Sequence, residues 1–399
     1  MLRFVAPAGA PLGLGQIARS VRRALGKGEG TEFVLKQLGD TLGVPYAYGT
    51  SSGRAALCVI LRALHRLRPD RDVVAVPAYV CFSVPAAVAR AGLKLLPMEV
   101  DPQRLDLDFP QVEGLATDRL LCILSANLFG LVNDTARIDV IAREKAVFFV
   151  DDAAQALGAS RDGHFAGTAG DAGFFSFGRG KGLASMRGGL IVTRSAEIAA
   201  AVKSELDALP AASFTNDGRL LMEMLSYAMF LNPRLYWLPN SLPFLKLGTT
   251  EFNPAFPATR SSRLSLAVVR ELLPDGDKLA AIRRQNAARI AGDVRGHPKF
   301  MTPELPPGCV ASYVRCPVIA CDEETRTMAV TRLRAKGIGA SPFYPSAICD
   351  IEGIERLTGP GDYHRPGAES LSRRLLTLPT GPHVTDQDLQ VIKDVLWSI

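Results

Sequence analysis

The stretch from Ala146 to Thr193, AVFFVDDAAQALGASRDGHFAGTAGDAGFFSFGRGKGLASMRGGLIVT, constrains this chain more than any other. It holds three apolar runs with polar residues at their ends. Val147 to Val150 reads as a short buried strand that delivers Asp151 and Asp152 at its carboxyl end. Ala172 to Phe177 is a second run, ending in a Gly-Arg-Gly turn that presents Lys181, and Leu190 to Thr193 is a third, introduced by Gly188 and Gly189. In open α/β sheets, ligands bind in the crevice beyond the carboxyl ends of the strands. A carboxylate and a lysine delivered to that edge point to a site.

An aspartate at a strand end, a hydroxyl at Ser176 and a lysine in a glycine-flanked turn match the needs of pyridoxal phosphate. The lysine would form a Schiff base with the aldehyde, the carboxylate would keep the pyridine nitrogen protonated, and the hydroxyl would help hold the phosphate. A plainer reading stands beside this one: Asp-Asp pairs end many strands in solvated loops, and a lysine in GRGKG serves equally as a surface charge or a phosphate contact. A P-loop is excluded, since Gly-x-x-x-x-Gly-Lys ending at Lys181 needs glycine where the chain has Phe175. The five histidines, His65, His164, His297, His364 and His383, show no metal-ligand spacing.

Four elements in order carry a resemblance: Asp151-Asp152-Ala153-Ala154-Gln155, Gly170-Asp171, Phe175-Ser176-Phe177 with lysine four places on, and Gly188-Gly189. Together they resemble the DegT/StrS family of pyridoxal-phosphate sugar aminotransferases, and the likeness runs from about Tyr46 to the end. It implies the fold of aspartate aminotransferase, fold type I: a large α/β domain whose mostly parallel, seven-stranded sheet lies between helices, and a smaller C-terminal α/β domain. The divisions expected are 1–249, including the N-terminal segment, and 250–399. By the same resemblance, Lys181 is the Schiff-base lysine and proton shuttle, and Asp152 the partner of the pyridinium nitrogen. Gln155 is implied as a contact to the cofactor's 3′-oxygen and Ser176 as a phosphate ligand.

Thr50-Ser51-Ser52-Gly53 feeds directly into an apolar-periodic helix, whose free starting amides suit an anion. The segment resembles the family's phosphate-binding element, so Gly53 and Arg54 become cofactor candidates, with arginine in place of the usual threonine; a simple cap by Ser51 or Ser52 is the alternative. The loop Pro77 to Ser83 is where the family supplies a ring that stacks on the pyridine. That position falls on Cys81, with Tyr79 and Phe82 beside it, and all three stay candidates. Arg260 is implied as a phosphate contact from a neighbouring subunit, because family members complete their active sites across a homodimer. Arg187 stands where the family has glutamate, and Phe343 where it often has histidine. Related dehydratases replace the lysine with histidine, so Lys181 counts against that chemistry. A scaffold that merely keeps the fold would have no need for Lys181, Asp152, Gln155 and Ser176 together.

Hydrophobic residues make up 47% of the 399 and charged residues 22%, a composition of packed domains rather than disorder. Seven cysteines, with no Cys-x-x-Cys, suit a reducing cytoplasm better than a disulfide framework. The net charge of +6 raises nucleic acid as a partner, but the basic residues are spread out and no zinc-finger or RRM signature accompanies them. The expectation is therefore no nucleic acid and no metal. Gln16 to Leu25 reads as a basic amphipathic helix, of the kind found on ordinary protein surfaces and also on membranes.

Strand candidates at Asp72 to Pro77, Leu93 to Val100 and Leu120 to Phe129 alternate with helical stretches at Val84 to Ala91 and Ile138 to Ala146, the pattern of a parallel sheet with helices on both faces. Leu220 to Leu247 is unusually apolar, but Glu223, Arg234, Lys246 and three prolines interrupt it, whereas a membrane span needs about twenty unbroken apolar residues. The stretch fits a hydrophobic hairpin at an interface, a lid over an apolar substrate, or a peripheral membrane contact. Helices at Leu264 to Leu273 and Asp277 to Asp293 and a strand from Ile338 to Tyr344 are expected in the last third. The resemblance implies an aminotransferase that takes an amino group from an amino acid, glutamate or glutamine by family habit. The acceptor would be a keto compound, first a nucleotide-linked keto sugar of polysaccharide or secondary metabolism and second a lipid-linked or otherwise apolar one.

Overall fold

The structure, a computed structural model, describes residues 3–26, 30–242, 248, 250–359, 361 and 363–399. Its main sheet consists of β1 (Tyr46–Thr50), β2 (Val73–Pro77), β3 (Lys94–Met98), β4 (Leu120–Ala126), β5 (Phe148–Asp152), β6 (Ala172–Ser176) and β7 (Gly189–Thr193). The spatial order is β1-β7-β6-β5-β4-β2-β3. Strands β3, β2, β4, β5 and β6 are parallel, and β7 runs antiparallel to both β6 and β1. Every residue of β4 and of β7 is buried, as expected for strands covered on both faces.

The longer helices of this part are α1 (Leu14–Leu25), α2 (Thr31–Leu42), α3 (Gly53–Leu67), α4 (Ser83–Ala91), α5 (Thr135–Glu144), α6 (Ala196–Asp207), α7 (Phe214–Phe230) and α8 (Arg263–Leu272). Alternation along the strands sends successive side chains to opposite faces. Val74, Val76, Leu124, Val150, Phe174 and Ile191 pack with α3, α4 and α6. Their neighbours Ala75, Ile123 and Phe149 pack with α5, and Phe175, Leu190 and Val192 pack with α1, α2 and α8. The sheet is thus the middle of three layers. Tyr46–Thr50 becomes a strand although the sequence reading saw only the turn after it, because β7 supplies a full antiparallel ladder for it.

A second, antiparallel sheet, ordered β8-β9-β11-β10, is built from β8 (Phe300–Met301), β9 (Cys316–Ala320), β10 (Ser341–Pro342) and β11 (Leu375–Leu378). It forms its own core with α9 (Gly276–Val294), α10 (Glu323–Ala335) and α11 (Asp386–Trp397). The strand expected over Ile338 to Tyr344 joins the second sheet at Ser341 and Pro342. Two segments cross the expected division at residue 250. Helix α8 packs into the core of α1 and α2 through Leu264, Leu266, Val268, Val269 and Leu272. In the other direction, Val5 bridges to Ile338, and its amide donates to the Gly337 carbonyl at 2.8 Å.

The apolar stretch after Leu220 is in large part the carboxyl half of α7 and the short helix Trp237–Asn240; residues 243–247 of it lie outside the described residues. No helix among the described residues is long and apolar enough to cross a membrane.

Candidate active site

Parallel strands β4 and β5 end level, in the register Ala126↔Asp152, and β6 runs two residues past its Asp152↔Phe174 pair to Ser176. Their carboxyl ends, the start of α3 and the turn into β7 surround a cavity of about 890 Å³, within the range of cofactor and substrate pockets. Of the expected residues, Gly53, Arg54, Cys81, Asp152, Gln155, Ser176 and Lys181 line it.

The two aspartates of β5 face different surroundings. Asp151 is fully buried, and its carboxylate accepts from Asn127 Nδ2 at 2.7 Å, Ser125 Oγ at 3.2 Å and the amides of Gly167 and Ala169 at 2.7 and 3.4 Å. It is a structural carboxylate that ties β4 and the segment before β6 to β5. Asp152 opens on the cavity and takes one described partner, the Ala154 amide at 2.8 Å, on Oδ1. Burial pushes the Asp152 carboxyl up to about 7, against the pull of that amide and of Lys181. Burial likewise pushes the Lys181 amine down from its ordinary range, opposed by Cys81 and Asp152 and assisted by Arg315. The site therefore holds a carboxyl ready to stabilise a cation and an amine ready to act as a nucleophile.

At the other end of the cavity, Ser52 caps α3 by accepting from the Ala55 amide at 3.2 Å. The amides of Gly53 and Arg54 take no partner among the described residues, which leaves the helix start free for an anion. Ser176 lies against it: a Cβ on Gly53 would meet the Ser176 Cβ at 2.8 Å, so only glycine allows this approach. The turn into β7 also depends on glycine. Gly188 has φ +115°, and a Cβ there would lie 2.8 Å from Ser265 Oγ.

Three expected candidates do not line the cavity. Tyr79 is buried in the core, with its ring 5.2 Å from that of Tyr344 and its hydroxyl accepting from the Tyr344 amide at 3.4 Å. Phe82 is buried where it starts α4. The chain therefore turns both aromatic side chains into the interior and leaves Cys81 on the cavity wall, with its sulfur accepting from Ser83 Oγ at 3.1 Å. Arg260 is exposed, and its backbone pairs with Thr50 outside the cavity of its own chain.

The cavity also contains residues that motif reading missed. Tyr344 lines it and accepts from Gln155 Nε2 at 3.0 Å, while Gln155 Oε1 accepts from the Phe129 amide at 3.2 Å. Asn127 holds both the Asp151 carboxylate and the Asp152 carbonyl. Asn216, Arg219 and Glu223 come from α7. Polar residues at spacings of three and four, Asn216 and Arg219 just before the apolar stretch and Glu223 inside it, were the available signal for that wall. Among the described residues, no group of histidine, cysteine and acidic side chains could hold a metal ion.

A family model described as the DegT/DnrJ/EryC1/StrS aminotransferase family matches residues 19–396. The chain belongs to this family. Among curated DegT/DnrJ/EryC1/StrS relatives, a UDP-N-acetyl-3-dehydro-α-D-glucosamine 3-aminotransferase from Acidithiobacillus ferrooxidans is 26% identical over 357 residues, 89% of this chain and 84% of the relative. The crystal structure of DesV from S. venezuelae superposes with a TM-score of 0.74 at 25% identity, covering 96% of this chain and 93% of DesV. Helicobacter pylori PseC, an aminotransferase involved in the biosynthesis of pseudoaminic acid, has a TM-score of 0.80 at 16% identity and shares the fold over 99% of both chains. The sequence-based expectations of family and fold hold.

Proposed function

We propose that this chain is a pyridoxal-phosphate aminotransferase that moves an amino group from glutamate or glutamine to the keto group of a nucleotide-linked sugar. The observation that carries this reading is the joint placement of Lys181 and Asp152 on one cavity whose far end is the free start of α3 beside Ser176. The cofactor is pyridoxal 5′-phosphate, which supplies an aldehyde for the lysine and a ring that takes up electron density as the amino group moves. The α3 amides at Gly53 and Arg54 and the Ser176 hydroxyl hold its phosphate. Asp152, ionised beside a cation, keeps the ring nitrogen protonated. Lys181, whose amine burial pushes below its ordinary range, would act as nucleophile and then carry the proton to and from the substrate carbon. Gln155, held by Phe129 and Tyr344, orients the ring's oxygen side.

A homodimer with shared active sites, Arg260 of each subunit reaching the other's cofactor phosphate, fits the exposed position of Arg260 away from its own cavity. Mixing Lys181→Ala subunits with Arg260→Ala subunits should then restore activity that neither has alone. All seven cysteines are free, which supports a reducing, cytoplasmic setting.

The deciding experiment is an absorbance spectrum of the protein with pyridoxal phosphate, before and after glutamate. A visible band that Lys181→Ala lacks and that glutamate bleaches in the wild type is expected; no band in either protein overturns the proposal.

The exposed side chains of Met222, Leu225 and Met229 on α7 favour one second reading, a lipid-linked acceptor presented at a membrane surface. Failure to float with anionic liposomes, alongside turnover of a soluble keto sugar, would remove it.

A further inference from the structure

One wall of the cavity carries charge that holding the cofactor does not use. Glu223 on α7 accepts from Arg187 through both arms of its guanidinium, at 2.6 Å from Nη2 and 3.1 Å from Nε. Arg219, one turn earlier on the same helix, reaches Glu223 with Nε at 3.3 Å, and Arg179, two residues before Lys181, reaches it with Nη2 at 3.8 Å. Three guanidiniums thus share one carboxylate and leave an excess of two positive charges. They hold Glu223 below the usual carboxylate range, although its burial opposes this. Arg187, Arg179 and Arg219 all line the cavity. Arg187 presents its fork to Glu223 in two hydrogen bonds, whereas Arg219 and Arg179 approach it at 3.3 and 3.8 Å and their side chains stay 76% and 55% exposed. Glu251 lines the same cavity, so the wall is not uniformly basic.

We infer that Arg219 and Arg179 bind a diphosphate group of the amino acceptor, and that Glu223 is the positioning residue that clamps Arg187 and aims the other two. This rests on the aminotransferase reading of the cavity and deepens it. An arginine fork suits phosphoryl oxygens through paired, charge-assisted hydrogen bonds. The phosphate of the cofactor has its own cradle at Gly53 and Ser176, on helix α3 and strand β6, so a second anion site on α7 answers to the substrate. A cluster with an excess of two charges inside a half-enclosed cavity also raises the local concentration of an anionic ligand.

The test uses the holoenzyme, with pyridoxal phosphate occupying the cradle, and titrates it with inorganic pyrophosphate and separately with uridine diphosphate by calorimetry. Arg219→Gln and Arg179→Gln should each weaken pyrophosphate binding about tenfold, the loss of one charge-assisted hydrogen bond, while the bleaching rate with glutamate changes much less. Glu223→Gln separates aiming from bulk charge. It makes the wall more positive, so a diffuse field predicts tighter binding; aiming predicts weaker binding, partly restored in Glu223→Asp. Uridine diphosphate binding tighter than pyrophosphate assigns the diphosphate to a nucleotide carrier, and equal binding assigns it to another carrier such as a lipid. Unchanged pyrophosphate affinity in both arginine variants, in an enzyme that takes the cofactor and reacts with glutamate, overturns the inference. Failure of the wild type to take the cofactor or react with glutamate instead overturns the aminotransferase reading.

Discussion

Asp151 and Asp152 are successive residues of one strand, so their side chains leave it on opposite faces, and they should answer to substitution in opposite ways. Asp151 satisfies four donors, three of them in fully buried hydrogen bonds; Asp151→Ala strands them and should cost about 3 kcal/mol or more. Asp152 behaves in reverse. Its folded pKa, about 7, lies above the ordinary carboxyl value of 3.8, so the folded state is progressively disfavoured as pH rises from the unfolded pKa towards 7, and the penalty is complete above that. In cofactor-free protein, Asp152→Asn should raise the urea midpoint at pH 8, raise it less at pH 5, and abolish transamination. A lowered midpoint at pH 8 would show that Asp152 is not held against a desolvation penalty. Lys181 supplies a second pH test: because burial lowers its amine from 10.5, the rate of reaction with pyridoxal phosphate should fall, as pH is lowered, at a midpoint well below 10.5. A stopped-flow profile centred near 10.5 would contradict that. The residue types at these positions could be read from their order along the chain. Which side of a turn faces the cavity could not: the resemblance put the ring position on Cys81 but left Tyr79 and Phe82 as candidates, and the packing of α4 and Tyr344 around them leaves Cys81 on the cavity wall.

At the scale of elements, the strands with continuous apolar runs were legible because burial on both faces leaves no room for polar alternation. The apolar stretch from Leu220 was harder, since α7 carries hydrophobic side chains on more than one face and its period does not say which face meets the core. The structure settles it. Leu220 and Met224 are buried among α1, α2 and α8, while Met222 and Met229 are 63% and 51% exposed. Met224→Ala should therefore cost about 2–5 kcal/mol by leaving a cavity, and Met222→Ala no more than about 0.5 kcal/mol in the isolated chain. Equal effects in denaturant titrations would mean that α7 is rotated from this placement. The same helix carries Glu223, so loosening its core face should also disturb the arginine cluster: Met224→Ala is expected to weaken pyrophosphate binding, whereas Met222→Ala is not.

For the whole molecule, the resemblance suggested a division at about residue 250, between a large domain and a smaller C-terminal one. Physically the division is not a single point. Helix α8 closes the core of the first sheet, α9 contributes Leu279 to that core and Ile290 to the other, and the N-terminal segment returns to the second sheet. Such crossings are invisible to composition, because each segment only has to be apolar on one side. They make the two ends of the chain interdependent. Arg3 ion-pairs with Asp388 at the start of α11 and donates to the His383 carbonyl at 2.9 Å. Burial of Asp388 opposes ionisation, yet the hydrogen bonds from Arg3 and Thr385 hold its carboxyl below 3.8. A depressed carboxyl contributes stability that is present above its unfolded pKa and lost as pH falls through the lower, folded value. Arg3→Ala should thus destabilise the protein by about 1 kcal/mol near neutral pH, a modest figure because Arg3 is partly solvated. That difference from wild type should shrink once acid has protonated Asp388, leaving the hydrogen bond to the His383 carbonyl. If the segment tethers the second sheet as this geometry requires, proteolysis after Arg3→Ala should first cut within residues 4–12. Protection of that segment equal to wild type would mean that the Val5–Ile338 bridge holds it without the ion pair.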